Sequence, residues 1–341
     1  MNDFEVLSFE DKRQKKKWNE VIEKYFNNEP MLKPVYVNLF CKDNEKCFAF
    51  FIESDHFRMI YPIILREIPG TQYKDVTNAY GYGGAMTDGI KDDSLIHHFW
   101  EQIDTWYQKN NVVSEFNRFS LFGIENNGYP GTKEYCMNNI VRKLNIPIEE
   151  MMMDFEHKVR KNIKKAIKNN LAVTIDQTGE TLETFLEIYY ATMQRCDAEE
   201  DYFFNEHFFK TINTEMQGNY IYFNVWYEEK IVSTELVLLS NENLYSFLGG
   251  TLSNYFAYRP NDFLKYSIIK WGIENHYKRF ILGGGHGTED GIFKYKKSFA
   301  PHDGCTPFYV GKRIINESIY ENLSDSKNKS DFFPLYRSNQ T

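Results

Sequence analysis

Lysine, in three clusters, is the residue type here with the clearest capacity for chemistry. The run Gly291-Ile292-Phe293-Lys294-Tyr295-Lys296-Lys297-Ser298-Phe299 alternates aromatic and basic side chains before Phe299. Read as a strand, that period of two predicts Phe293 and Tyr295 facing a core and Lys294 and Lys296 on the other face. A lysine held beside a core and near a pocket can stabilise a developing oxyanion or a phosphate. The other clusters are Lys12–Lys17 (KRQKKK) and Lys158–Lys168, which holds six Lys or Arg in eleven residues. The formal net charge is −8, so the chain is not a globally basic nucleic-acid binder. The clusters fit an anionic ligand such as RNA, a phosphorylated precursor or lipid head groups, and equally fit solvated helix faces.

Nucleophile and metal motifs are missing. The chain contains no GxxxxGK[ST], HExxH or GxSxG. Gly283-Gly284-Gly285-His286-Gly287 departs from GxGxxG and follows a late strand. His97 and His98 are neighbours on an expected helix, about 100° apart, and cannot easily share a metal. Cys41 and Cys47 are weak metal candidates. The five cysteines are scattered, odd in number and without a CxxC, so neither a disulfide framework nor a metal site is expected.

Elements must position these groups. With 341 residues the chain suits about two domains of ~150 residues each. Aromatics at 17% can fill sizeable cores and rule out global disorder. The longest apolar runs, Phe48–Ile52 and Pro62–Leu65, are far short of the ~20 residues of a membrane helix. The N-terminus lacks an apolar signal core. A soluble, cytoplasmic protein without an integral membrane segment is expected. A monomer is compatible with it.

One arrangement occurs twice. In the first half the β-rich runs 46–53 and 57–65 precede a Gly-rich stretch, Tyr80-Gly81-Tyr82-Gly83-Gly84. A helix over 92–110 follows, with Leu95, Phe99, Ile103 and Trp106 in one stripe, then a strand over 112–116. In the second half, runs 219–227 and 231–239 flank a hairpin turn at Glu228-Glu229-Lys230. A third strand over 243–248 is closed by Gly249-Gly250. A helix runs from Pro260 to His276 along Leu264, Ile268 and Trp271, and a strand over 279–282 follows. Between the halves, 154–170 reads as an amphipathic helix. Val159, Ile163, Ala166 and Ile167 line one face, lysines another, and Asp154 and Glu156 stand at its start.

Taken in order, several stretches resemble the Fem family of aminoacyltransferases, the peptidoglycan interpeptide-bridge enzymes related to GNAT acyltransferases. Asp75–Gly84 is similar to the family's tyrosine–glycine motif, with Ala79 where a Pro is common. Ser114-Glu115-Phe116-Asn117-Arg118-Phe119 resembles its next strand motif, but Ser120-Leu121 replaces the usual His-Pro. Arg160–Ala166 resembles the basic helix opening the second domain. Tyr190–Met193, Tyr202–Phe204, Arg259–Leu264 and Leu282–Gly285 also fit. The final motif maps the family lysine to Lys296, with Ala300 in place of the closing Gly.

The resemblance spans residues 30–310. It implies an α/β (α+β) fold of two tandem GNAT-like domains with a cleft between them. These would be 1–150, completed by 312–341, on the acceptor side, and 151–311 on the donor side. The connection from Val173 to Asn219 lacks a long heptad pattern, so no inserted coiled-coil arm is expected. The resemblance also assigns Lys296 to oxyanion stabilisation in acyl transfer, without a metal, a cofactor or a covalent enzyme intermediate. Tyr80, Tyr82 and Gly83 would lie on the acceptor side. Glu115 and Arg118 would contact the acceptor or form an internal ion pair. Arg160 would bind an anion, Tyr295 and Phe299 the substrate, and Arg259, Asn261 and Gly284 the donor.

GNAT acetyltransferases hold CoA pyrophosphate on an R/Q-x-x-G-x-G/A turn. Here Arg259–Leu264 lacks both glycines and places Asp262 where phosphates would sit. That favours an aminoacyl-tRNA co-substrate, and the resemblance implies an anionic cell-envelope precursor as acceptor. Acyl-CoA-dependent N-acylation of a surface amino sugar is the alternative. A non-catalytic RNA- or precursor-binding module is the third reading.

Overall fold

A computed structural model describes residues 4–285, 287, 289–324 and 331–338. The chain divides into two compact units. One comprises residues up to Cys136 together with those from Pro307; the other is Met137–Thr306. The first unit runs β1 (Glu5–Ser8), α1 (Lys12–Tyr25), α2 (Pro34–Asn38), β2 (Lys46–Glu53), β3 (Phe57–Glu67), β4 (Lys74–Thr77), β5 (Met86–Gly89), α3 (Asp93–Lys109) and β6 (Val112–Arg118). The chain then passes along β7 (Thr132–Lys143) into α4 (Ile148–Asp154), α5 (His157–Lys168), β8 (Ala172–Asp176), α6 (Leu182–Arg195) and α7 (Glu206–Glu215). β9 (Tyr220–Tyr227), β10 (Lys230–Leu239), β11 (Asn243–Thr251), α8 (Pro260–Glu274), β12 (Arg279–Gly283) and α9 (Gly291–Lys297) follow. β13 (Cys305–Ile314) and α10 (Glu317–Leu323) come last.

The sheet of the first unit has the order β1-β2-β3-β4-β6-β13, with β5 against β3. That of the second has the order β7-β12-β11-β10-β9-β8. In each, one neighbouring pair is parallel, β4/β6 and β11/β12. Parallel neighbours cannot be joined by a tight hairpin, so a helix crosses between them, α3 in one unit and α8 in the other. The expected order of hairpin, strand, helix and strand is therefore present twice, as two GNAT-like domains. α3 buries Leu95, Phe99, Trp100, Ile103 and Tyr107 against Phe50, Phe57 and Tyr61 of its sheet. α8 buries Leu264, Ile268 and Ile269 against Ile221, Phe223, Leu244 and Phe280.

Local packing redraws several expected elements. Gly249 and Gly250 lie inside β11 rather than closing it. A Cβ on Gly249 would stand 2.4 Å from the Thr234 carbonyl oxygen, so glycine admits the close approach of β10. The stretch 154–170 starts on the last residue of α4 and holds one helix, α5. Asp154 ends α4 and pairs with the buried Arg142, which needs a counter-charge, instead of opening α5. Ile167, expected on the apolar face of α5, is 52% exposed, while Val159, Ile163 and Ala166 are buried. Residues 291–297 form a helix, not a strand. Asp290 Oδ1 accepts from the Phe293 amide at 2.8 Å, a cap that nucleates the turn. Seven residues hold too few periods for alternation to tell the two apart. Between β8 and β9, α6 and α7 have 14 and 10 residues, and no long helical arm occurs among the described residues. No helix among them is long and apolar enough to cross a membrane.

A buried charge ties the C-terminal segment to the first unit. Asp75, fully buried on β4, accepts from Arg66 Nε at 2.7 Å and Arg337 Nε at 2.5 Å, with the Tyr336 hydroxyl at 3.1 Å. Asp75→Ala strands two guanidiniums and is expected to cost about 3 kcal/mol or more in urea unfolding. Asp75→Asn, which keeps acceptor capacity, costs less; equal losses would show that the charge is immaterial.

Candidate functional site

β10, β11, α8 and α9 enclose a cavity of about 410 Å³, walled by residues of the second unit. Its lining includes Glu235 from β10, Ser246 and Phe247 from β11, Asn261 and Lys265 from α8, and Tyr295 and Lys296 from α9. Helical geometry puts Phe293 and Lys296, three residues apart, over one arc, so the buried Phe293 anchors the face that carries Lys296 inward. The Lys296 ammonium donates to the Gly284 carbonyl oxygen at 2.6 Å, just beyond β12. Burial, reinforced by the Lys265 charge, lowers its pKa from 10.5 to about 8, against the opposing pull of Glu235 and Asp290. At pH 7 it is mostly cationic yet unusually ready to part with a proton.

Beside it lies a buried ion pair that sequence reasoning missed. Lys265 Nζ donates to Glu235 Oε1 at 2.6 Å, to Glu235 Oε2 at 2.7 Å and to Ser246 Oγ at 2.8 Å. All three of its protons are used, so Lys265 is a fixed cation. One signal was legible: Glu235 is the sole charge inside the apolar run Ile231–Leu239.

The expected second-unit residues divide between cavity and core. Lys296, Tyr295 and Asn261 line the cavity, and Gly284 supplies its carbonyl. The Tyr295 hydroxyl is buried without a hydrogen-bond partner among the described residues. Phe299 is fully buried, packed on Phe155 and Tyr295 with ring centroids 5.6 and 5.3 Å away, so it is core rather than a substrate contact. Arg259 is the N-cap residue of α8 at φ 65°. Arg160 Nη1 holds the end of α4, donating to the Met153 and Phe155 carbonyls at 2.8 and 2.6 Å. Asp262 is buried and accepts from Asn162 Nδ2 at 3.0 Å. Burial raises its pKa, opposed by that hydrogen bond and by Arg259 and Lys158.

The first-unit residues gather around Tyr36. Its hydroxyl donates to the Tyr80 carbonyl at 2.9 Å, and Tyr80, Arg118 and Tyr82 all act on it electrostatically. Tyr80 is 42% exposed; the Tyr82 ring meets Phe308 edge-on at 5.6 Å. Gly81 and Gly84 have φ of 99° and 80°, which makes the loop a glycine turn. A Cβ on Gly83 would stand 2.8 Å from Asn78 Nδ2, so that side of Gly83 is packed rather than open to a ligand. Asn78, also missed, clamps the end of β6 through the Arg118 amide and carbonyl at 3.0 and 2.7 Å. Glu115 is fully buried and accepts from the Tyr107 hydroxyl at 2.6 Å. Burial raises its pKa. It is neither an exposed acceptor contact nor the partner of Arg118, which sits three positions along β6 on the opposite face.

Cys41 and Cys47 lie with their sulfurs 2.6 Å apart, and no group of three or more potential metal ligands occurs among the described residues.

The fold and this cavity define a class. Residues 154–297 match the family described as an acetyltransferase (GNAT) domain. Among solved structures, FemX is similar with a TM-score of 0.69 at 12% identity, over 90% of this chain and 98% of that one. L-PGS from Bacillus licheniformis is similar with a TM-score of 0.55 at 13% identity, over 89% and 92%. The C-terminal domain of a protein described as a lysylphosphatidylglycerol synthetase from Agrobacterium fabrum gives 0.55 at 11%, over 89% and 92%. No curated protein sequence matches significantly. The chain has the Fem-like tandem GNAT fold, and its second unit carries the acetyltransferase-type domain.

The low Lys296 pKa has a direct consequence. At pH 8 Lys296 is expected to react with a small amine-specific acylating reagent ahead of the surface lysines of α5, as read by peptide mass spectrometry. Labelling no faster than that of Lys161 or Lys164 would show its amine to be ordinary.

Proposed function

We propose that the chain is an aminoacyltransferase that moves an aminoacyl group from aminoacyl-tRNA to an amine of an anionic, peptidoglycan-type cell-envelope precursor. One observation carries this reading: the Lys296 amine, held by one carbonyl, keeps its remaining bonding capacity toward a cavity of the GNAT domain. The similarity in fold to FemX and to the synthetase supports the substrate class, and the use of tRNA would put the reaction in the cytoplasm.

In this reaction the neutral amine of the acceptor attacks the ester carbonyl. A C–N bond forms and the carbonyl oxygen becomes an oxyanion. Lys296 as an ammonium stabilises that charge from the cavity wall. The intermediate then collapses, the C–O ester bond breaks, and the leaving oxygen takes a proton. The protein's part is positioning and charge stabilisation, with Asn261 on the donor side.

One observation favours acyl-CoA as the donor instead. Asp262 is withdrawn into a hydrogen bond with Asn162, which weakens the charge that would repel a pyrophosphate at the start of α8. Titration calorimetry separates the two. The proposed reading expects no acetyl-CoA heat up to millimolar ligand, whereas low-micromolar, single-site binding would replace it with N-acylation of an amino sugar.

Lys296→Ala is expected to lower kcat for aminoacyl transfer by about 10²-fold or more, with little change in KM. Because the charged form acts, wild-type kcat should fall as pH rises through about 8. A Lys296→Ala enzyme with wild-type kcat would overturn the assignment and favour a non-catalytic binding module.

A further inference from the structure

The Glu235–Lys265–Ser246 cluster is a poor device for stability alone. Ion pairs buried in an apolar core seldom repay their desolvation, and Ile or Leu of similar size would fill the place as well. Yet Lys265 and Glu235 are 7% and 4% exposed, fully hydrogen-bonded, and open onto the same cavity as Lys296. Lys265 cannot swing toward a ligand without breaking three bonds.

Resting on the acyl-transfer reading above, we propose that Lys265, clamped by Glu235 and Ser246, is a positioning residue for Lys296. It is a fixed positive charge in the cavity wall that sets the protonation of the reacting amine. Among the described residues, three charged groups act on Lys296. Lys265 comes from α8, Glu235 from β10, and Asp290 from the turn before α9. Asp290 is engaged as the cap of α9, accepting from the Phe293 and Gly287 amides at 2.8 and 3.2 Å. Glu235 and Lys265 are therefore the adjustable pair. Lys265 pushes the Lys296 proton off and Glu235 holds it on, and a shift of either balance changes when Lys296 can give a proton to the departing oxygen. In that step the Lys296 N–H bond breaks, the O–H bond of the leaving group forms, and the amine is left neutral. It is recharged by the proton that the acceptor nitrogen loses.

The test reads Lys296 itself, without substrate. Lysines of the full chain are labelled biosynthetically with ¹³C at Cε, which leaves their N–H groups intact, and titrated by NMR. The Lys296 signal is assigned by its loss in Lys296→Arg. Glu235→Gln leaves Lys265 uncompensated and is expected to move the Lys296 midpoint down from about 8, by about 1 pH unit. Lys265→Met leaves Glu235 uncompensated and is expected to move it up, toward 10.5. Both single variants bury a lone charge and are fold-sensitive. The double variant Glu235→Gln/Lys265→Met buries none, and its midpoint is expected to return near the wild-type value. The descending limb of the kcat profile should follow each midpoint in the same direction.

Folded variants with an unmoved Lys296 midpoint would overturn the inference and leave the cluster structural. So would a double variant that folds but behaves like a single one. The acyl-transfer reading fails separately: opposite midpoint shifts in an enzyme that transfers no aminoacyl group would leave the electrostatic coupling and remove its role in transfer.

Discussion

An amine taken out of water must either find hydrogen bonds and counter-charge or shed its proton, and the second unit is arranged around that constraint. Two lysines enter the same cavity and meet it in opposite ways. Lys265 finds a carboxylate and a hydroxyl for all three of its protons. Lys296 finds one carbonyl oxygen, stands near that fixed cation, and is held close to the point of losing its charge. Chemistry is possible at the second because the first is satisfied.

The same sheet plan is filled differently in the first unit. There too a carboxylate is buried beside the crossover helix, but Glu115 faces tyrosines rather than a lysine. The Tyr107 hydroxyl donates to it, Tyr61 and Tyr129 lie close by, and Arg313 contributes a more distant charge. Burial raises the pKa of each of these tyrosines, so they remain protonated around an acid that is itself harder to ionise. The exposed chemistry of the first unit lies instead at the glycine turn of Tyr80–Gly84, seated on Tyr36 and Asn78.

Most elements were legible from local pattern. The period of α3 along Leu95, Phe99 and Ile103 and the span of β2 follow from side-chain spacing, because each buries one face against its sheet. So does the duplicated order of strands and crossover helix. What local pattern misread were short or doubly constrained stretches. Residues 291–297 alternate like a strand but are turned into a helix by the Asp290 cap. Gly249 and Gly250 look like strand breakers, but Gly249 lets β10 close in and Gly250 lets α6 close in. Asp154 looks like a helix opener, but it answers the buried Arg142.

The site divides along the same line. Sequence alone determined that Lys296 belongs to a basic–aromatic motif near the end of a domain, that the phosphate-binding glycines are absent from Arg259–Leu264, and that Tyr80–Gly84 is a glycine-rich stretch. These are properties of neighbours along the chain. Only the tertiary structure decided that Lys296 faces a cavity shared with Lys265 and Glu235, which lie 31 and 61 positions away. It alone decided that Phe299 and Glu115 are core, and that Arg160 and Asp262 are already engaged. The reason is physical: the protonation and availability of a side chain depend on what surrounds it in three dimensions. Desolvation and Coulomb interactions fall off with distance in space, not with separation along the chain.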